Sequence, residues 1–221
     1  MYTDGTMGID LGVIIGVVIV IGSVLISMTL HEAMHAYTSN YLGDDTARML
    51  GRLTINPLKH IDPFTTVLMP VLLYIAVGIP FGAAKPVPFN PNRLKYDEFG
   101  AALVGVAGPL TNLLLAVISG LWLRFVLGFE SNLITEGTLL FMIVNLSFFV
   151  FNMIPFPPLD GSRLLYALAP EPVQNVMRTI ERGGITYFFL FLFILYPFVT
   201  QIIGNSVEAI SSVILGVNIF L

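Results

Sequence analysis

Polar and apolar positions along the chain separate into long uncharged runs and short mixed stretches. Leu11 to Leu30 is twenty residues without a charge, the roughly 20 that a helix needs to cross a bilayer core. The helix is expected to run on through His35 to about Tyr41, where Gly43 and the acidic pair Asp44-Asp45 stop it. Ala101 to Leu123 reads as a second span, closed by Arg124, and Gly137 to Leu159 as a third that holds Asn145 and Asn152. Three prolines between Pro155 and Pro158 cannot stay helical. The third helix should therefore break near Asn152, so that an irregular segment delivers Asp160. Gly184 to Ile203 is a further span and Ser206 to Leu221 a marginal one, with residues 162–183 more polar between.

Residues 46–63 change character, because Leu53, Ile55 and Pro57 alternate with Arg52, Thr54 and Asn56. That is a short strand pattern, confined to an edge or an end by Pro57. Lys85 to Pro91 carries three further prolines and is expected to be extended. The two pieces could pair as a small sheet near the membrane surface. Between them Phe64 to Gly82 is apolar but interrupted by Pro70, Gly78 and Pro80.

Composition turns these runs into a class. Hydrophobic residues make up 56% and charged residues 11% of the 221, against about 25% charged in ordinary soluble domains, and the mean hydropathy is +0.86. This is an integral membrane protein whose first partner is the lipid bilayer. A net charge of -4 gives no basic stripe and excludes nucleic-acid binding as the function. The absence of cysteine excludes disulfides and thiolate metal ligands. Because the first 30 residues carry Asp4 and Asp10, no Lys or Arg, and an apolar run longer than a leader's, they read as a retained helix rather than a signal peptide.

Lys and Arg set the topology, since cytoplasmic flanks are enriched in them. Residues 42–63, 83–99 and 160–183 hold nine of the ten basic residues. All nine are cytoplasmic if Phe64 to Gly82 dips into the membrane and returns. A re-entrant segment is therefore expected, with a cell-membrane location and the functional residues towards the cytoplasmic side.

The chemistry concentrates at His31-Glu32-Ala33-Met34-His35, which contains two of the chain's three histidines. At i and i+4 both imidazoles share a helix face and can bind one zinc ion, while the intervening carboxylate reaches an activated water. A catalytic zinc takes three protein ligands, and Asp160 is the best third. Its bland alternative is a cap on the helix starting at Gly161. His60 and Glu98 are rivals, but His60 in Lys59-His60-Ile61-Asp62 looks like a solvated loop residue. Asn112 and Asn152 are oxyanion or substrate-backbone candidates. Interhelical glue competes for Asn112, whereas Asn145 reads as packing. Gly108 would let its helix approach the motif helix.

Taken in order, His31 to His35, Gly108-Pro109-Leu110-Thr111-Asn112 and Asn152 through Gly161 resemble the site-2 protease family of intramembrane zinc metalloproteases. The resemblance covers roughly residues 11–168 and is to the compact type without PDZ or CBS modules. It implies Zn2+ on His31, His35 and Asp160, Glu32 as catalytic base, and transmembrane protein substrates cut in or near their spans. Because a substrate helix must unwind to be cut, an exposed edge strand at Gly51 to Pro57 or Lys85 to Asn90 could add it as another strand; the alternative is a tight structural loop whose prolines block pairing. The expected fold is an all-α polytopic membrane protein, a helical bundle of about five to six hydrophobic segments with a small β element and a re-entrant segment. One domain over 1–221 is expected, with a core of about 11–168 and accessory C-terminal helices at about 184–221. Readings from other classes are a transporter or metal-ion channel with a His/Asp-lined path, and a catalytically silent scaffold.

Overall fold

The computed structural model describes residues 11–69, 75 and 84–220. Its helices are α1 (Leu11–Tyr41), α2 (Thr46–Met49), α3 (Asp97–Trp122), α4 (Leu133–Asn152), α5 (Gly161–Leu168) and α6 (Glu171–Leu215). A π-helical turn at Leu123–Leu127 extends α3, and α6 is broken at Gly184, where φ is 58° and ψ is -143°. Four helical stretches among the described residues are long and apolar enough to cross a membrane: Leu11–Tyr41, Asp97–Leu127, Leu133–Asn152 and Thr186–Leu215. The protein is an all-α polytopic membrane protein.

Helix ends follow local chemistry. Asn132 caps α4 by accepting from the Ile134 and Thr135 amides at 3.0 Å each. The helix ends at Asn152, where the proline-rich segment begins. At the other extreme α6 closes on Gly216 in the left-handed region, and the Arg124 guanidinium donates to the Ile214 carbonyl at 3.2 Å.

Burial in this bundle is inverted relative to a soluble one. Leu103, Leu110, Leu114, Ile118 and Leu121 face outwards on α3, while Gly105, Gly108, Asn112, Ala116 and Gly120 face inwards. On α1 the buried ridge is Ser23, Ser27, His31, His35 and Ser39, one residue every four. Lipid gives apolar side chains no reason to leave it, so helices associate through small residues that bring backbones close and through polar pairs. α3 lies against α1, α4, α5 and α6 and is the central element. Its Ala116 and the following Leu123 join Met142, Leu146, Val207 and Leu215 in the main apolar core.

The chain enters and leaves the 42–96 connection on one side of the bundle, because the Lys95 amide donates to the Leu42 carbonyl at 2.8 Å. That is the parity expected of a segment that dips and returns. The segment expected to dip, Phe64 to Gly82, lies mostly outside the described residues, which show a π-helical turn at Pro63–Leu68.

Two expectations are corrected. No strand forms among the described residues. Residues 51–56 are turn and coil leading into a 3-10 turn at Pro57–Lys59, and residues 84–90 are extended without a ladder. Proline at positions 86 and 88 removes alternate donors; the Lys85 amide donates to the His60 carbonyl at 2.9 Å, and several other polar groups bond to side chains instead. Arg52 donates to the carbonyls of Lys85 (3.2 Å) and Pro86 (3.3 Å), Glu32 accepts from the Val87 amide and Asp44 from the Asn90 amide. The expected boundary between C-terminal helices near residue 204 is also absent: α6 continues through Gly204-Asn205, drawn on by Val207, Ile214 and Leu215 packing into the core.

Candidate metal centre

His31 and His35 sit on the buried ridge of α1, and Asp160 is brought to them by the irregular segment after α4. His31 Nε2 lies 3.0 Å from Asp160 Oδ2 and 3.0 Å from His35 Nε2, and His35 Nε2 lies 3.4 Å from Asp160 Oδ2. Both histidines are buried. Asp160 occupies the cap position of α5, yet its side chain makes no cap hydrogen bond and points at the imidazoles.

The tautomers follow from the far side of each ring. His35 Nδ1 is 2.7 Å from the Val104 carbonyl, which can only accept, so Nδ1 carries the proton. His31 Nδ1 is 2.6 Å from Asn112 Oδ1. The orientation of that amide is fixed because its nitrogen faces the Ser27 carbonyl at 3.3 Å and Asn145 Oδ1 at 2.9 Å. Both Nε2 lone pairs therefore point at the Asp160 carboxylate, and three acceptors converge where only a cation satisfies all of them. Zinc fits: bonds of about 2.0–2.2 Å at tetrahedral angles put ligand atoms about 3.4 Å apart, and the observed separations are 3.0–3.4 Å. His31, His35 and Asp160 form a group that could hold a metal ion.

Gly108 makes room for it. A Cβ built there would lie 2.5 Å from His35 Nε2 and 2.6 Å from His31 Nε2. Glu32 is half-buried, and its Oε2 accepts from the Val87 amide at 2.9 Å, so the extended segment 84–90 lies against the motif.

The other expected residues are placed as follows. Asn112 is fully buried and presents its oxygen to His31, with both amide-nitrogen contacts taken, rather than a free donor to a substrate. Asn152 donates to Phe148 in its own helix at 3.0 Å and is not brought to the histidines. Glu98 is exposed in the first turn of α3. His60 is not a solvated loop residue: it is fully buried, with Nε2 2.8 Å from the Thr54 carbonyl, because the 54–60 turn folds back over its ring. Asn145, assigned to packing, contacts Asn112 directly. One polar residue in an apolar run looks like another, and only the facing helix distinguishes them.

Two imidazoles and a carboxylate that could hold a metal ion converge inside an apolar bundle, the arrangement a membrane-embedded metalloenzyme needs. Comparison with known proteins narrows the class. The profile of peptidase family M50 matches residues 19–196. The chain is 40% identical over 176 residues to the Bacillus subtilis protein named "Putative zinc metalloprotease YwhC", covering 76% of this chain and 77% of that one. It is 32% identical over 160 residues to "Putative zinc metalloprotease Rip2" of Mycolicibacterium smegmatis, covering 72% of this chain and 60% of that protein. The Mycobacterium tuberculosis H37Rv protein of the same name is 29% identical over 172 residues, covering 76% and 64%. No solved structure gives a significant match. The chain belongs to peptidase family M50.

Proposed function

We propose that this M50 zinc metalloprotease hydrolyses peptide bonds in or beside the transmembrane segments of membrane proteins, with His31, His35 and Asp160 as the metal ligands and Glu32 as the general base and acid. The observation that carries the reading is the convergence of three acceptor atoms at 3.0–3.4 Å with both histidine Nδ1 protons committed elsewhere. Zinc held there supplies Lewis acidity that brings the pKa of water towards about 7 and polarises a carbonyl.

The chain's own residues do the rest. Asn112 and the Val104 carbonyl keep the two imidazoles in the ligating tautomer. The Val87 amide holds Glu32 through Oε2, leaving Oε1 to take a proton from the attacking water. As the water oxygen bonds to the carbonyl carbon and the C–N bond breaks, Glu32 returns that proton to the leaving amine. A substrate helix has its carbonyls tied up in its own hydrogen bonds, so it must unwind before a carbonyl can reach the centre. The 84–90 segment beside Glu32 is the surface such an extended chain would meet.

The nine basic residues in the flanks of the spans support a cytoplasmic orientation for the His35 end of α1. A reporter fused after residue 92 is expected on the cytoplasmic face, and an external signal would sink that orientation. For the chemistry, the detergent-purified chain is assayed for zinc and for cleavage of single-span substrates beside Glu32→Gln and Asp160→Asn. Glu32→Gln should keep its zinc and lose cleavage, and Asp160→Asn should lose zinc. Cleavage by Glu32→Gln at the wild-type rate refutes the proteolytic assignment.

A further inference from the structure

The histidine tautomer that the metal centre needs is set from outside the motif helix. His31 Nδ1 meets Asn112 Oδ1 at 2.6 Å, Asn112 Nδ2 meets Asn145 Oδ1 at 2.9 Å, and Asn145 Nδ2 meets the Phe141 carbonyl one turn earlier in α4 at 2.9 Å. Each link forces the next. A main-chain carbonyl can only accept, so the Asn145 nitrogen must face Phe141 and its oxygen must face Asn112. Asn112 is then obliged to turn its nitrogen to Asn145 and to the Ser27 carbonyl, and its oxygen to His31. Asn112 and Asn145 are both fully buried, so no bulk water competes for these bonds. The relay crosses three helices, α1, α3 and α4, and it is anchored on main-chain carbonyls, Phe141 and Ser27, whose polarity cannot be reversed.

We propose that Asn112 and Asn145 are positioning residues for the metal centre: together they lock the proton of His31 on Nδ1, keep its Nε2 lone pair on the metal, and so set zinc affinity. The proposal rests on His31 being a zinc ligand. It assigns Asn112 a different part from oxyanion donor, since neither of its amide protons is free. It also differs from interhelical glue, which would change the stability of the bundle but not the affinity of the folded protein for zinc.

The test measures zinc affinity of the full chain in detergent by competition with a chromophoric chelator, on variants first shown to be monodisperse. Outer partners of metal-bound histidines are typically worth about 10–100-fold, so Asn112→Leu should weaken zinc by about that factor and Asn145→Leu by about 3–10-fold. Asn112→Asp is the rescue: as a neutral carboxyl in this buried setting it accepts from Nδ1 through one oxygen and donates to Asn145 Oδ1 through the other, so Asn145 keeps its bond to Phe141, and affinity should return to within about threefold of wild type. A structural role predicts the opposite order, because Leu suits the apolar interior and Asp does not. Wild-type affinity in Asn112→Leu or in Asn145→Leu overturns the proposal, as does an Asn112→Asp no better than Asn112→Leu.

A second readout stands without any variant. The chain has only three histidines, so nitrogen-15 histidine spectra of the zinc-loaded protein resolve them all. His31 and His35 should carry the proton on Nδ1, and His60, whose Nε2 donates to the Thr54 carbonyl, on Nε2. A His31 protonated on Nε2 or ligating through Nδ1 overturns the relay. A wild-type protein that binds no zinc instead refutes the metal centre itself. In that case the zinc-free protein decides the relay by whether His31 holds a solvent-protected Nδ1 proton that Asn145→Leu exposes to exchange.

Discussion

The closest packing at the metal centre falls on a residue with no functional group, Gly108. Gly108→Ala adds one carbon to α3, and that carbon would lie 2.5 Å from His35 Nε2, 2.6 Å from His31 Nε2 and 2.7 Å from His31 Cδ2. Relief to an ordinary contact of about 3.4 Å asks for a movement of about 0.9 Å by the rings or by the helix. The rings are not free to give way, since each is anchored through Nδ1 to α3 itself, at Val104 and at Asn112. Metal sites tolerate about ±0.2 Å in their ligand distances, so the shift exceeds the tolerance several-fold, and zinc affinity should fall at least about 100-fold. Stability should change much less: overpacking costs about 1–3 kcal/mol, while alanine in place of glycine in a helix interior returns up to about 1 kcal/mol. The assay pairs chelator competition for zinc with thermal unfolding of the zinc-free protein, and uses Gly22→Ala, which has nothing within 4 Å of its new carbon, as control. A Gly108→Ala protein that binds zinc within about threefold of wild type would refute the placement of α3 against the motif helix.

Two further perturbations act on the segment over Glu32. Val87→Pro removes the amide that donates to Glu32 Oε2 at 2.9 Å. It should lower kcat about tenfold or more, as expected for a displaced general base, with zinc content unchanged by metal analysis; full activity would show that the contact does not position Glu32. Asp44, outside the spans, anchors the other end of this segment: burial pushes its carboxyl up, but hydrogen bonds from the Thr46 side chain and the Asn90 and Thr46 amides outweigh this and hold it below its ordinary value. Its contribution to stability is therefore full above the unfolded-state pKa of about 3.9 and lost as the pH falls through the lower folded value. Unfolding midpoints of wild type and Asp44→Asn should differ at pH 6 and converge below about pH 4; a constant gap would contradict the linkage.

What the sequence disclosed depended on how local the determinant was. The end of α1 at Tyr41 and of α4 at Asn152, and the delivery of Asp160 by a proline-broken segment, follow from glycine and proline chemistry within a few residues, and all were readable. So was the close approach at Gly108, because a glycine inside a membrane span has few other uses. The strand expected at 51–57 failed because alternation is a weak signal once the candidate partner carries prolines and its free amides find Glu32 and Asp44 instead. His60 was misplaced because a polar neighbourhood in sequence says nothing of a turn that closes over the ring. Asn145 could not be separated from any other membrane asparagine until its partner on α3 was visible. The ridge of Ser23, Ser27, His31, His35 and Ser39 was available as a four-residue period of small and polar residues. In a lipid-exposed helix that period marks the inside, the reverse of the amphipathic rule for water-soluble helices.

This inversion links the site to the integrity of the bundle. In water a catalytic cluster of polar groups usually weakens a core that apolar burial sustains elsewhere. Here the apolar residues are at home in lipid on either side of folding, and helix association depends on small residues and polar pairs, each pair worth about 0.6 kcal/mol and seldom above 2. On α1 the ridge that meets α3 is the ridge that carries the histidines, and on α3 the residues that meet it are Gly105, Gly108 and Asn112. The residues that assemble the centre are thus also those that assemble the helices, and zinc acts on both together. A metal that binds only the folded arrangement stabilises it by about 2.7 kcal/mol at a hundred times its Kd, more than several of these polar pairs combined. Loss of zinc is then expected to loosen α1 against α3 and α4, which makes the resting stability of this bundle a property of its active site rather than a background to it.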